Sequence, residues 1–278
     1  MARCDISRSA LRWFSPFIFF ALVGCGTMKW AYDYADWWIE YKIEQWVDLS
    51  GEQEDQLQNG LSPFFKWHRV AIMPRVTDSV SNLIAAAQKG QCAQRFASQQ
   101  NLWNKLYQET IERITPIISG VLVTLDDKQI LELESGLKEE FKQAQEKAAD
   151  PTQRSEKFLD RMDSMLGRLS QGQREMLAQP DTDWEKHNQA SLACRSDHQR
   201  QLVEALKAKQ ERLGIELILN RWWTQSGCPK EFLDNRTRMR NRWQTKMAKF
   251  ETTLSEEQRE SMLGELESLR SNLSDIIK

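Results

Sequence analysis

Leu49-Ser50-Gly51-Glu52-Gln53, Leu125-Asp126-Asp127-Lys128-Gln129, Leu169-Ser170-Gln171-Gly172-Gln173 and Leu254-Ser255-Glu256-Glu257-Gln258 repeat one pattern: Leu, a capping residue, two polar residues, Gln. The physics is local. The Ser or Asp oxygen accepts the backbone N–H three residues on, and the Gln side chain reaches back to the cap, giving a capping box. Leu57, Leu133, Leu177 and Met262 each follow the Gln by four positions, so an apolar face resumes at the same offset every time. The staple position is apolar only at Ile130. Helices are therefore predicted to begin near Gly51, Asp127, Gln171 and Glu256. The glutamines are 76, 44 and 85 residues apart, which excludes a regular solenoid.

Working outward, nearly every segment carries apolar residues three or four apart, and no useful length alternates with period two. Met262, Leu266, Leu269, Leu273 and Ile276 step by 4, 3, 4 and 3, a coiled-coil seam. Phe232, Met239, Trp243, Met247 and Phe250 form the stripe of the preceding helix, and the two are predicted to pair as a hairpin. Phe158, Met162, Met165 and Leu169 repeat the step, as do Trp103, Leu106, Ile114 and Ile117 more loosely. Charged residues make up 28% of the chain, with only seven Pro and twelve Gly, a helical composition. The fold class expected is all-α, an elongated bundle of antiparallel helical hairpins.

The N-terminus carries a different signal. Arg3, Arg8 and Arg12 precede the apolar run from Trp13 to Val23, which ends in Leu22-Val23-Gly24-Cys25. Roughly ten apolar positions cannot cross a hydrocarbon core about 30 Å thick. The segment resembles a bacterial lipoprotein signal with its lipobox. The resemblance implies cleavage after residue 24, diacylglyceryl transfer to the Cys25 thiol and acylation of the new N-terminus. With Gly26 rather than Asp next, it implies sorting to the outer membrane, anchored on the periplasmic face. The organisation expected is a signal peptide over 1–24, a lipidated tether over 25–28 and a helical periplasmic domain over 29–278. The mature chain keeps 35 basic and 39 acidic residues. No global field invites nucleic acid.

The pentapeptide resembles the LTxxQ motif of the periplasmic stress chaperones of the Spy and CpxP kind, with Ser or Asp in place of Thr. That resemblance implies an all-helical protein that binds partly unfolded clients. A second resemblance covers more of the chain. Lipobox, Tyr34-Ala35-Asp36-Trp37-Trp38, Asp48-Leu49, Gln53, Leu57, Trp67-His68-Arg69, Pro74-Arg75, Gly167-Arg168-Leu169 and the segment from Leu254 to Arg259 are together similar to an uncharacterised family of proteobacterial lipoproteins with a domain of unknown function. It implies no activity.

Trp30, Tyr32, Tyr34, Trp37, Trp38, Tyr41 and Trp46 crowd the start of the mature chain. Positions 30, 34, 37, 38 and 41 share one helical face. A tether of about 10 Å separates Cys25 from Lys29, so Trp30, Tyr34, Trp37 and Trp38 are candidate membrane-proximal aromatics. Packing of this stripe into the core is the reading preferred over an interfacial belt. Cys92, Cys194 and Cys228 leave room for one disulfide in an oxidising compartment. Cys92–Cys228 is favoured, and Cys194–Cys228 is the alternative.

Chemistry is sparse. His68, His187 and His198 belong to no recognised catalytic or metal pattern. Cys194 and His198 are four apart, with no further ligand evident. His68 reads as a hydrogen-bonded filler beside an aromatic. Glu132, Glu134, Glu139 and Glu140 sit among lysines, as solvated faces do, so no pair stands out as glycosidase-like. No catalytic residue, cofactor or metal is expected. The basic run Lys230, Arg236, Arg238, Arg240, Arg242, Lys246 and Lys249 is predicted to pair with Glu256, Glu257, Glu260 and Glu265 across the hairpin. The expected partners are the membrane, through lipid on Cys25, and a protein client or envelope complex. The expected function is that of an envelope chaperone or assembly factor, with a structural scaffold and a wall-active enzyme as alternatives.

Overall fold

Why the boxes come in fours is answered by their spatial pairing. The computed structural model describes residues 27–149 and 151–278; the signal peptide and Cys25 lipidation site expected from the sequence lie outside them. The described chain is an all-α bundle, running α1 (Thr27–Asp33), α2 (Ala35–Glu44), α3 (Gly51–Ala71), α4 (Met73–Ala87), α5 (Cys92–Ser98), α6 (Gln100–Leu122), α7 (Asp127–Ala148), α8 (Pro151–Leu166), α9 (Gln171–Ala178), α10 (Trp184–Lys207), α11 (Arg212–Thr224), α12 (Lys230–Glu251) and α13 (Glu256–Ile277). Helices α3, α7, α9 and α13 each start one residue after an extended cap, Ser50, Asp126, Ser170 or Ser255, and each has a complete capping box.

Each Gln does more than close its own box. Its Oε1 accepts the N–H of its cap, at 2.8 Å for Ser50, 3.0 Å for Asp126, 2.9 Å for Ser170 and 3.1 Å for Ser255. Its Nε2 then donates across to another box. Gln53 and Gln129 exchange reciprocal amide bonds of 3.1 and 2.7 Å. Gln173 and Gln258 do the same at 2.8 and 3.0 Å. The second proton of each amide goes to the carbonyl two residues before the partner's cap: Gln53 to Thr124, Gln129 to Asp48, Gln173 to Thr253 and Gln258 to Arg168. Both donors and both lone pairs of all four amides are thus used, as burial demands. A Glu would close the box equally well. It could not supply the crossing donors.

Each amide pair sits at the centre of its own apolar cluster. The first cluster holds Leu49, Leu57, Leu125 and Leu133 with residues of α6, α10 and α11. The second holds Leu169, Leu177, Leu254 and Met262 with residues of α8 and α12. A third, smaller cluster joins Met28 of α1, Met73, Val80 and Ile84 of α4, and Leu273 and Ile276 of α13.

This arrangement corrects one expectation. The seam of α13 does not close on α12; it lies along α4, while α12 packs against α5, α9 and α10. The reason is complementary spacing. Met73, Val76, Val80 and Ile84 step by 3, 4 and 4 along α4 and meet the α13 seam from far away in sequence. Elsewhere Gly136 of α7 lets Trp46 approach, since a Cβ there would stand 2.9 Å from the Trp46 Cα.

The pairing predicts which substitutions couple. Gln129→Ala should cost about 2–3 kcal/mol, from a lost cap and a buried amide left without its partner. Gln53→Ala and Gln129→Ala together should fall short of the sum of the single effects by about 1 kcal/mol or more. Gln53→Ala with Gln258→Ala should add to within about 0.5 kcal/mol. Urea unfolding of the singles and doubles measures this; additivity within a pair would show that the crossing bonds contribute nothing.

Candidate functional site

The N-terminal end of the described chain is built from α1 and α2. Met28 is buried in the third cluster, while Ile39, Ile43 and Trp46 pack on the first. Tyr32 fastens α1 to α3: its hydroxyl is hydrogen-bonded to His68 Nδ1 at 2.9 Å, its ring meets Phe65 edge-on, and the Arg69 guanidinium lies 5.4 Å from its centre. Asp33 pairs with Arg69 beside it. Burial pushes the His68 imidazole down to about 4 and raises the Tyr32 hydroxyl. His68 is therefore the hydrogen-bonded filler expected, held neutral.

The opposite face of the same two helices corrects the core assignment. Trp30, Tyr34, Trp37 and Tyr41 are 64, 50, 55 and 39% exposed. Trp38 is half-buried, with the Lys42 ammonium 5.6 Å from its ring centre. The exposed rings meet in two pairs, Trp30 tilted against Tyr34 at 4.8 Å and Trp37 stacked on Tyr41 at 5.5 Å. The stripe is outside because Met28, Tyr32, Ile39 and Ile43 already supply the face that packs. Sequence periodicity registers a stripe without saying which of two stripes turns inward.

The second chemistry-bearing cluster is Cys194, His198 and Cys228, whose ligating atoms all lie within 4.8 Å of one another. Cys194 and Cys228 are joined in a disulfide, with Cα atoms 5.5 Å apart, and Cys92 is free. The favoured Cys92–Cys228 pairing is thereby replaced. The sulfurs meet because α10 packs against the start of α12, around Phe232. His198 is buried and donates from Nδ1 to the Cys194 carbonyl at 2.8 Å. Gly227 completes the fit, since a Cβ there would stand 2.5 Å from His198 Nε2. With both sulfurs oxidised, the set offers no thiolate to a metal or a substrate. Cys92 opens α5, where its N–H and that of Ala93 donate to the buried Glu251 carboxylate at 2.7 and 2.9 Å. Burial, aided by Glu251, pushes the Cys92 thiol up to about 11, which keeps it unreactive.

The basic helix α12 also finds partners other than those expected. Arg242 is bridged to Asp181 at 2.6 Å and Asp183 at 2.8 Å, in the link between α9 and α10, and Lys246 donates to the Gln179 carbonyl at 2.6 Å. Arg236 lies over the Phe232 ring and donates to Gln225. Because α13 turns toward α4, its acidic first turn does not serve α12. The α7 carboxylates are engaged as solvated faces are: Glu132 with Lys128, Glu134 with Lys138 and Lys207, Glu140 with Arg195.

One further feature was not legible beforehand. Phe141 of α7 and Leu192 and Ala193 of α10 line an open groove between these helices, with Gln145, Gln189, Asp197 and Arg200 at its edge. The apolar residues in it are too few to register as a periodic stripe.

The depressed His68 pKa has a defined consequence for stability. Between about pH 6.5 and pH 4 the unfolded chain binds a proton at this site and the folded chain does not. Stability contributed by neutral His68 is therefore complete above pH 6.5 and falls as the pH drops toward 4, by up to about 3 kcal/mol. His68→Gln should flatten that part of the stability–pH profile in denaturant titrations. An unchanged slope would mean that His68 is protonated in the folded protein.

The comparisons with known proteins are consistent in what they find. The sequence profile of a family of unknown function (DUF6279) matches residues 45–226, from the end of α2 through α11, including three of the capping boxes and Cys194. No curated protein and no solved structure matches the chain. With most of its length covered, the chain belongs to the family of unknown function DUF6279.

Proposed function

We propose that the protein is an outer-membrane lipoprotein, anchored through Cys25 on the periplasmic face, whose helical body acts by binding a protein client as an envelope chaperone or assembly factor. The observation that carries this reading is the groove between α7 and α10. It is open to solvent and lined by Phe141, Leu192 and Ala193 together with polar Gln145, Gln189, Ser196, Asp197 and Arg200. Such a groove suits an amphipathic or extended segment of another chain. Exposed Leu213 and Leu217, one turn apart on α11, and exposed Leu131 on α7 offer further apolar contact. The lipobox supports the location, and the Cys194–Cys228 disulfide fits an oxidising compartment. The Leu-cap-x-x-Gln boxes support the chaperone comparison only as architecture, because their side chains are spent on one another.

Ala193 is exposed, so Ala193→Arg fills the groove with little effect on the core. The full-length protein should suppress aggregation of several unrelated unfolded proteins at near-equimolar ratio. Ala193→Arg should lose that effect severalfold while its melting temperature stays within about 2 °C, as for a surface change. Crosslinking in the native envelope, with Cys25→Ala as the unanchored control, should capture a range of clients. One dominant partner, with no suppression of aggregation, would replace the chaperone by a dedicated scaffold.

A further inference from the structure

We infer that α1 and α2 lie flat on the membrane, with Trp30, Tyr34, Trp37 and Tyr41 inserted at headgroup level, so that the body is held at a fixed orientation rather than swinging on its lipid tether. The inference deepens the proposed anchoring and rests on it for the position of residue 25. Four observations converge. The rings occupy positions i, i+4, i+7 and i+11 and are all exposed. They lie in two contacting pairs, Trp30 tilted against Tyr34 and Trp37 stacked on Tyr41, so each pair presents a joined aromatic surface. Helix begins at Thr27, two residues after the cysteine, which leaves no slack to carry the stripe away from the bilayer. The reverse face is fastened to α3 through Tyr32, His68 and Asp33–Arg69.

Geometry selects the flat orientation. From Trp30 to Tyr41, across α1 and α2, the chain covers about 17 Å at helical rise, whereas an interfacial helix buries its apolar face only about 5–10 Å deep. Standing upright, it could wet one ring pair only. Trp and Tyr are the residues this layer favours, with an apolar body and one polar atom each. Apart from Asp33, which is paired with Arg69, α1 and α2 carry Asp36, Glu40 and Glu44 against Lys29 and Lys42, so they have no cationic excess. The contact is thus driven by the aromatic rings rather than by attraction to anionic lipid.

The test uses the full-length protein matured in cells, reconstituted in phosphatidylcholine nanodiscs with and without bromine high on the acyl chains. Brominated lipid should quench about a fifth of the emission, the share of two tryptophans among the ten that follow residue 24. The double variant Trp30→Ala, Trp37→Ala should lose that quenching, while Trp38→Phe keeps it. Both variants should retain the wild-type circular dichroism and melting temperature, because Trp30 and Trp37 are largely exposed. Intact mass reports acylation of Cys25 separately. Acylated protein that is unquenched, or whose quenching survives the double variant, overturns the flat contact and leaves the anchor standing, with the stripe then free for a protein partner. Quenching lost in the double variant of a chain without acyl mass would establish the contact and overturn lipidation.

Discussion

A buried primary amide has two protons and two lone pairs to satisfy, and this protein solves the problem by setting such amides face to face. Gln53 with Gln129, and Gln173 with Gln258, each close a helix start and bridge to the turn that opens a second helix. A helix N-terminus leaves N–H groups without partners, and a buried turn leaves carbonyls. One Gln serves both needs only when a second Gln faces it. Four helix starts are thereby locked into two pairs, and a separate apolar cluster condenses around each. The chain is organised as two such units, clamped by α4 against α13 and by the disulfide between α10 and the start of α12.

Much of this was legible from local signals. Helix starts at Gly51, Asp127, Gln171 and Glu256 could be read because a capping box is a short-range device whose residues identify it. The buried Leu of each turn and the apolar residue four past each Gln follow from the same register. The pairing of the boxes was not read, although a clue was present: all four use Gln where Glu would cap as well. The misread elements share a cause. Which of two helical stripes faces inward, at Trp30 to Tyr41, and which distant helix meets the α13 seam depend on partners more than 30 residues away, such as His68 for Tyr32, about which periodicity is silent. The disulfide is the same case: Cys194–Cys228 against Cys92–Cys228 is decided by how α10 meets α12.

Function follows the same division of labour. The conspicuous motif is consumed by architecture, and what remains for other molecules lies on helix faces: an exposed aromatic stripe on α1 and α2, and an open groove between α7 and α10 away from the boxes. Residues 45–226 define the family, so the groove lies within the shared part of the chain and the exposed stripe outside it. A rigid body held at one orientation would present such a groove at a constant height above the membrane.

The account stands on the four glutamine amides being locked, and amide proton exchange tests that most directly. In a two-dimensional NMR spectrum with amide assignments from single Gln→Asn variants, the Nε2 protons of Gln53, Gln129, Gln173 and Gln258 should persist in deuterated buffer long after those of exposed Gln108 and Gln171 have exchanged. Exchange of the four at the rate of the exposed amides would show that the crossing bonds open freely and that something else holds the two units together.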